Sequence, residues 1–364
     1  MQGANNTQPV LQGQKELGLK EFAIKACVSI ALAIGLLAAG EGIAYFSLPK
    51  RVLPPHEYKA YVLWQVARTG NPAVTLDADG LRRTFYSHCE GNEYTIWVFG
   101  SSGMWSPYSD DRETIPSFLA KQFEESGRRV CVKNYGQPGY ANTQELIELM
   151  LALKRAKKKP DAVIFFDGSL DSFLPYESDQ VDVHMGFPEF KREFESWKAK
   201  EQAGFGYLGS TNTYLALQRV AHKLGLLNIA AAPRSFSQEQ AASMAKGTVD
   251  NYLKNMELLD SLAIHHGFHY LCFLEPYLLA VERPLSASEE LIRESTEKQY
   301  PGFAPVKRAT YELFRALKRP EFVYLGDLFS DSNETIFLDA AHLKPEGNRI
   351  VAERIYVALQ HLGS

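Results

Sequence analysis

The sequence lacks the basic excess that a nucleic-acid-binding protein needs. Its 364 residues include 39 lysines and arginines against 43 aspartates and glutamates, a formal net charge of −4. Because contacts to phosphate supply much of the affinity for nucleic acids, this balance argues against a general nucleic-acid binder. One basic run, at residues 154–159, lies where a predicted helix ends. There it is typical of a solvated helix C-terminus, which favours positive charge.

Cysteine is also scarce, and no Cys/His spacing predicts a zinc site. The four cysteines are Cys27, Cys89, Cys131 and Cys272. Cys131 and Cys272 fall in strand-like runs and are predicted to be small buried hydrophobic residues. Cys89 could form a disulfide, but spacing does not identify its partner and leaves the redox compartment open. Three histidines, His265, His266 and His269, are more typical of a helix C-terminus or a surface than of a metal site.

The chain has few apolar runs long enough to suggest a membrane helix, and one lies near the N-terminus. No charge occurs over residues 26–40, and apolar residues continue at 43–46 after Glu41. A helix over 26–46 would be about 31 Å long, roughly one hydrocarbon thickness. We therefore predict a signal anchor at 22–46 after a polar, disordered segment at 1–21. A signal peptide cleaved near 38–40 and a buried core helix are the alternatives. Lysines on both sides give no orientation by the positive-inside rule.

After a predicted juxtamembrane linker and lead-in at 47–90, strand-like and helix-like segments alternate over 91–364. The pattern breaks at about 172–237, which predicts an insertion or cap carrying some helix. The alternation predicts a three-layer α/β sandwich with a mostly parallel sheet, preceded by one N-terminal transmembrane helix. Active sites in such folds lie beyond the carboxyl ends of the strands. Strands are predicted at 94–99, 129–133, 162–166, 269–274 and 322–325, and helices at 116–125, 142–158, 238–266, 286–298, 306–317 and 346–361.

A serine follows the first of these strands, which ends in FGSSG at 99–103. Glycines on either side allow a tight turn that presents Ser102 to solvent, and the Ser102 N–H can help hold an oxyanion. The spacing is not that of a G-x-S-x-G nucleophile elbow. Taken alone, the segment is more typical of a turn without chemistry.

An acid and a histidine lie three residues apart near the other end of the chain. Asp339 and His342 precede Pro345, which begins the last predicted helix, so both can project from one short loop. The carboxylate can accept a hydrogen bond from Nδ1 and leave Nε2 as the base that activates a serine. Taken alone, the D-x-x-H spacing is a weak pattern, and the triad of Ser102, His342 and Asp339 depends on a family resemblance.

These segments resemble the blocks of the SGNH (GDSL-like) hydrolase family over residues 94–174 and 268–361. The first block carries G-D-S or G-G-S and here reads GSS, which places the nucleophile at Ser102. The last block carries D-x-x-H, and FLDAAHLKPEGNRIVAERI is similar to the form in membrane-tethered members. NYGQPGY at 134–140 resembles the second block, whose later glycine, Gly139, donates an N–H to the oxyanion. FLEP at 273–276 resembles the strand end before the helical region. The resemblance implies a flavodoxin-like fold without cofactor or metal.

The third block departs from the family pattern. The family carries G-x-N-D, whereas this chain reads DGSLD at 167–171, with Leu170 in place of the asparagine that supplies a further oxyanion donor. Loss of one such donor typically costs about 10²–10³ in rate. The Asn142 side chain and the Ser169 hydroxyl are the predicted replacements, so Ser169, Leu170 and Asn142 are the predicted substrate-binding residues. Asp171 is expected to brace the loop.

The resemblance implies a serine esterase, either an O-deacylase such as an acetylesterase or an acyltransferase, acting on an ester of a saccharide or lipid. It implies a catalytic domain on the periplasmic or extracellular side of a membrane, with a membrane-bound acyltransferase as a candidate partner. Leu170 motivates the alternative, a catalytically impaired accessory or binding protein of the same fold. Aromatic residues of the insertion are the expected specificity elements, and His184 could approach substrate. These aromatics are Phe173, Tyr176, Phe187, Phe190 and Trp197.

Overall fold

A computed structural model describes residues 56–67, 73–203 and 235–362 of this chain, with side chains up to 195 in the second range, and some helical residues between 24 and 39. The chain divides into two compact units, one made of 53–191 and 232–364 and the other of 1–52 and 192–231. The second unit lies largely outside the described residues. The candidate site belongs entirely to the first.

A hairpin at the start of the described range 56–67 was not predicted from the sequence. Strands β1 (His56–Lys59) and β2 (Leu63–Val66) pair antiparallel, with His56 opposite Val66. Each strand has four residues and only Val66 is buried, so there is no clear alternation of apolar and polar residues to signal it. The predicted linker at 47–90 therefore contains regular structure.

Five parallel strands form the central sheet. They are β3 (Tyr94–Gly100), β4 (Val130–Asn134), β5 (Ala162–Asp167), β6 (His269–Leu274) and β7 (Phe322–Tyr324). Their order is β4-β3-β5-β6-β7, and each neighbouring pair is parallel. This is the flavodoxin-like order, in which ligands bind beyond the strand ends at the point between β3 and β5 where the order reverses.

Helices cover both faces of the sheet. They begin at residues that satisfy the first free N–H groups, as at Ser237 and Ser286, whose side chains accept from the third helical residue, or at a proline such as Pro345. The helices are α1 (Ser102–Trp105), α2 (Ile115–Glu125), α3 (Asn142–Arg155), α4 (Ser169–Ser178), α5 (Phe187–Ala203), α6 (Gln238–His266), α7 (Ala287–Gln299), α8 (Phe303–Arg315) and α9 (Pro345–Gln360), with a 3₁₀ turn at Leu278–Ala280.

The core lies in two layers because strand side chains alternate between faces. Trp97 and Phe99 of β3 point to the cluster shared with α3, α6 and α8. Ile96 and Val98 point to the other cluster, shared with α2 and α9. The predicted three-layer α/β sandwich with a parallel sheet is thus confirmed.

Two local predictions need correction. The helix predicted at 142–158 ends at Arg155, because Ala156 is extended (ψ 131°) and caps it ahead of Pro160. Cys131 is buried, but it is not a free thiol: it forms a disulfide with Cys89. Cys272 is the buried free thiol that was expected.

The N-terminal prediction falls mostly on residues outside the described part of the chain. Segment 1–21 lies wholly outside it, and the anchor at 22–46 is represented only by scattered helical residues from 24 to 39. No helix within the described residues is both long and apolar enough to cross a bilayer.

Candidate active site

Ser102 begins α1 directly after β3 and is half-buried. Gly100 holds this turn tightly against the neighbouring strand. A side chain on Gly100 would lie 2.5 Å from the Phe166 carbonyl oxygen and 2.7 Å from Met104 Cβ. Only glycine fits there, which explains why the serine motif opens with this residue.

Asp339 and His342 form a closed hydrogen-bonded pair. Oδ2 of Asp339 lies 2.7 Å from His342 Nδ1, and Oδ1 accepts from the backbone N–H groups of Ala341 (2.9 Å) and His342 (2.8 Å). Both carboxylate oxygens are therefore occupied, and the imidazole is oriented by its Nδ1. His342 Nε2 is buried and has no hydrogen-bond partner among the described residues.

The electrostatics of this pair favour an ionised acid. Burial alone would raise the pKa of Asp339, but the hydrogen bond and positive charge of His342, with the two backbone N–H groups, lower it below its ordinary value. An ionised Asp339 accepts a hydrogen bond from the Nδ1–H group of His342. The Nε2 lone pair then stays available, which is the tautomer that a general base requires.

The loop after Ser102 contacts the Asp339–His342 loop. The Tyr108 ring meets the His342 ring edge-on at 5.1 Å between centroids. Asn348, in the first turn of α9, donates to Ser109 Oγ (3.2 Å) and to the Glu113 carbonyl (3.0 Å). No hydrogen bond joins Ser102 Oγ to His342 Nε2 in this structure. Such contacts often tighten only when substrate is bound.

Arg82 fixes the loop that follows the serine, and no motif in the sequence pointed to it. Its guanidinium is 1% exposed and donates to the carbonyls of Trp105, Ser106 and Ser109. Its Nε donates to Asp111 at 3.2 Å. A buried charge bonded to three carbonyls of one loop makes that loop rigid.

Gly139, the predicted second oxyanion donor, lies in the turn after β4. It adopts φ +82° in a turn where the Tyr140 N–H donates to the Gln137 carbonyl at 3.2 Å. Within the described residues, neither the Gly139 N–H nor the Ser102 N–H donates to another group. The turn is tied to α1, since Asn134 donates to the Met104 carbonyl at 3.3 Å. Both N–H groups are therefore without a backbone acceptor in the described part of the chain.

The predicted replacements for the missing asparagine lie in and beside the third block. Asn142 is 2% exposed; its Nδ2 donates to Asp167 at 2.6 Å and its Oδ1 accepts from Asn255 at 2.7 Å. The Ser169 N–H donates to Glu275 at 3.0 Å. The bonds of Asn142 argue against that replacement, whereas the Ser169 bond involves the backbone N–H and not the predicted hydroxyl. Leu170 is half-buried at the start of α4, and Asp171 braces the block by accepting from the Asn142 N–H at 3.0 Å.

Two buried acids, Asp167 and Glu145, lie next to each other at this block. Asp167 accepts from Tyr252 at 2.6 Å, and Glu145 lies beside it with neither carboxylate oxygen partnered in the described structure. Burial, reinforced by neighbouring carboxylates, raises the pKa of Asp167 to about 8 and that of Glu145 well above its usual range. Both acids therefore hold their protons more strongly than exposed carboxyl groups do. Across the described residues, no three His, Cys, Asp or Glu side chains are grouped to hold a metal.

The insertion aromatics divide into two groups. Phe173 and Tyr176 pack with Phe303 in the core, at 5.3 and 5.1 Å between ring centroids, so they are structural. Phe187 and Phe190 instead surround His184, at 5.8 and 5.1 Å. The side chain of Trp197 lies outside the described residues.

The segment around His184 reaches Gly139. The His184 ring lies 6.4 Å from that of Trp64. A Cβ on Gly139 would stand 3.3 Å from Trp64 and 2.9 Å from Met185 Sδ, so these side chains flank the glycine. The hairpin residue Trp64 had no sequence signal.

Several solved structures are similar to this chain. TesA is 14% identical, over 74% of this chain and 99% of its own, with a TM-score of 0.36. A member of the lipolytic G-D-S-L family from Veillonella parvula DSM 2008 is 12% identical over 73% and 98%, with a TM-score of 0.40. Axe2, an acetylxylan esterase from Geobacillus stearothermophilus, is 12% identical over 74% and 95%, with a TM-score of 0.34. No protein family profile and no curated protein matches the chain. At these TM-scores the likeness is no argument for an activity. An argument for activity must therefore come from the geometry of the site.

Proposed function

We propose that the protein is a serine esterase whose triad is Ser102, His342 and Asp339. The observation that carries this is the Asp339–His342 pair: the acid holds Nδ1 at 2.7 Å and leaves a buried Nε2 without a partner. Ser102 Oγ attacks the ester carbonyl while Nε2 takes its proton. The imidazolium then returns that proton to the departing alcohol, leaving an acyl-enzyme.

The oxyanion of the tetrahedral intermediate is held by the N–H groups of Ser102 and Gly139. With Leu170 in the third block, no side-chain donor joins them. A missing donor typically costs about 10²–10³ in kcat, so we expect a slow enzyme. Motif resemblance favours small acyl groups on a saccharide or lipid. Water completes the turnover in an acetylesterase, and a sugar hydroxyl completes it in an acyltransferase.

A second function is favoured by one observation. Leu170 cannot donate a hydrogen bond, and the side-chain amide of Asn142 is hydrogen-bonded to Asp167 and Asn255. The fold could therefore serve as an accessory or binding protein with impaired catalysis. Its ligand would be the same class, an acylated saccharide or lipid. This accessory function differs from the esterase proposal because it requires no turnover at Ser102.

We also propose that the N-terminal segment anchors the protein in a membrane, with the catalytic unit on the periplasmic or extracellular side and a membrane-bound acyltransferase as a partner. Two observations support this. Five apolar side chains of the segment are more than half exposed: Ile24, Val28, Ile30, Leu32 and Leu36. The Cys89–Cys131 disulfide is typical of oxidising compartments.

The experiment for the esterase proposal compares neighbouring serines. Initial rates of p-nitrophenyl acetate hydrolysis are measured for the full chain in detergent, for Ser102→Ala and for Ser101→Ala. Ser101 is the matched control, since it is adjacent and buried and its side chain caps nothing. We expect Ser102→Ala to lose at least about 10³ in kcat and Ser101→Ala to retain activity. Equal rates for wild type and Ser102→Ala would favour the accessory function.

The membrane proposal is tested separately by alkaline carbonate extraction. The full chain should stay with the membranes, and a variant lacking residues 22–46 should be released. Release of the full chain would contradict anchoring without bearing on catalysis.

A further inference from the structure

A cavity of about 260 Å³ opens beside the turn that carries Gly139. Its walls come from three segments: the hairpin, the start of α3 and the stretch that leads into α5. Most of its wall is apolar, and the apolar side chains are those of Leu63, Ala141, Ile147, Val183 and Phe187. The triad mechanism gives this cavity no role.

A short stretch of backbone joins the cavity to the nucleophile turn. The Gln137 N–H donates at 3.0 Å to the carbonyl of Gly100, two residues before Ser102. Gly139 follows two residues after that bond, and Ala141 of the cavity wall follows two residues later again. The proposed oxyanion donor therefore lies between the nucleophile turn and the cavity.

An aromatic wall makes the same connection in space. Trp64 Nε1 donates to the Pro138 carbonyl at 2.9 Å, and a Cβ on Gly139 would stand 3.3 Å from the Trp64 ring. The His184 ring lies 6.4 Å from Trp64 and 5.8 Å from Phe187 between centroids. Since His184 and Phe187 both line the cavity, the ring surface beside Gly139 continues into it.

Polar groups of the cavity wall are occupied by bonds within the protein. Thr143 Oγ1 donates to Asp182 at 2.5 Å and accepts from Asn255 at 2.8 Å. The Gln144 Nε2 donates to the Val62 carbonyl at 3.0 Å, and its Oε1 accepts at 3.2 Å from the N–H that precedes α3. Among the described residues, none that line the cavity has a buried polar side-chain atom without a partner. Such a wall offers nothing to replace the water around a sugar hydroxyl, so it favours a hydrocarbon.

The size of the cavity sets the length of that hydrocarbon. An apolar cavity of about 150 Å³ holds benzene, which has six carbon atoms. By proportion, 260 Å³ accommodates roughly ten carbon atoms. A chain of about eight carbons therefore fits, with room left at the open mouth.

We propose that this cavity binds the acyl chain of the substrate, which is then an ester of a medium-chain fatty acid rather than an acetate. The inference rests on the proposed function in one respect, the placement of the ester carbonyl at the N–H groups of Ser102 and Gly139. From there the chain passes along Trp64 and His184 into the cavity. It lies on the acyl side because the hydroxyl groups of a saccharide alcohol find no partner in this wall.

The first test measures chain-length selectivity of the full chain in detergent. The readout is the ratio of kcat/KM for p-nitrophenyl octanoate to that for p-nitrophenyl acetate. Each buried methylene is worth up to about fourfold in binding, so we expect the ratio to fall at least about tenfold in Ile147→Trp, which fills the cavity. Leu291→Trp is the matched control, because Leu291 is 67% exposed on α7 and lies outside the cavity wall. Partition of the ester into detergent is the same for every variant and cancels.

An unchanged ratio in folded Ile147→Trp would overturn the proposal. If that variant does not fold, Val183→Trp narrows the cavity from its other side at a half-buried position outside any helix, and the same fall in the ratio is expected. A fall seen with octyl acetate in place of the octanoate would overturn the acyl assignment, because octyl acetate carries its chain on the alcohol.

The second test needs no turnover. Octanamide, which keeps the carbonyl and the chain, is titrated by calorimetry into the full Ser102→Ala chain, with and without Val183→Trp. We expect saturable binding that weakens at least about tenfold when the cavity is narrowed. No saturable binding, or equal affinity in both proteins, would contradict the proposal. A wild type that hydrolyses no ester but binds octanamide in this way would sink the proposed function and leave the cavity assigned.

Discussion

Asp339→Asn isolates the role of the acid because the surrounding hydrogen bonds determine the orientation of the asparagine amide. In the native protein Oδ1 accepts from the N–H groups of Ala341 and His342, and Oδ2 accepts from His342 Nδ1. An asparagine oxygen can keep the two backbone bonds only if its NH₂ group points at Nδ1. Nδ1 must then be the acceptor, and the proton moves to Nε2. That tautomer cannot take the proton of Ser102.

The expected loss follows from this switch. Trapping the wrong tautomer in a Ser-His-Asp triad costs about 10⁴ in kcat. At 1.36 kcal/mol per decade this is about 5 kcal/mol of transition-state stabilisation. Stability should change little, by about 1 kcal/mol or less, because the backbone bonds survive and the side chain is partly exposed.

The assay measures kcat/KM on p-nitrophenyl acetate together with urea unfolding of each variant. Because turnover is expected to be slow, the rate of fluorophosphonate labelling serves as a second readout that needs only an activated nucleophile. A folded Asp339→Asn protein with kcat/KM within tenfold of wild type would refute the reasoning about the tautomer.

Four further predictions concern other parts of the molecule. Gly100→Ala should lose about 1–3 kcal/mol in urea unfolding, since its Cβ would meet the next strand at 2.5 Å; an unchanged midpoint would contradict the close approach. Reduction of Cys89–Cys131, separated by 42 residues, should cost about 4 kcal/mol, measured as the shift between oxidised and reduced protein. Burial would raise the pKa of Glu289, yet Arg283 and backbone N–H groups lower it to about 2. The unfolded chain binds that proton more readily, so stability should fall as pH drops from about 4.5 toward 2, by about 3 kcal/mol, and Glu289→Gln should remove this slope. Leu170→Asn should raise kcat, by up to about 10²-fold, if the loop keeps the family geometry; a lower rate in folded protein would mean the loop is placed differently.

Strong periodic signals made most of the fold predictable. Strands β3 and β5 are buried on both faces, so each forms a continuous apolar run that is visible in the sequence. Helix Gln238–His266 begins after a capping serine and ends at Gly267, φ 72°, and both residues are signals of helix ends. The hairpin was missed because its strands are short and half-exposed. Helix α3 ended early because residue 156 turns extended before a proline.

Candidate site residues that lie in short sequence motifs could be named from the sequence. Residues that act through partners distant along the chain could not. Ser102 and Gly139 lie in the loops after β3 and β4, and Asp339 and His342 lie in the loop between β7 and α9, where short sequence motifs mark them. Arg82 and Glu275 act through partners that lie 23 and 106 residues away along the chain, so no local pattern announces them. Asn142 was expected to face the oxyanion, but its amide is bound by side chains that only the folded chain brings near.

The central claim is that Ser102 is a nucleophile activated by His342. Its most direct measurement is the position of a fluorophosphonate adduct, read by peptide mass spectrometry on the full chain in detergent. A single adduct on Ser102, absent in Ser102→Ala and strongly slowed in His342→Ala, is the expected result. An unlabelled wild type, or an adduct on another residue such as Ser101, would contradict it.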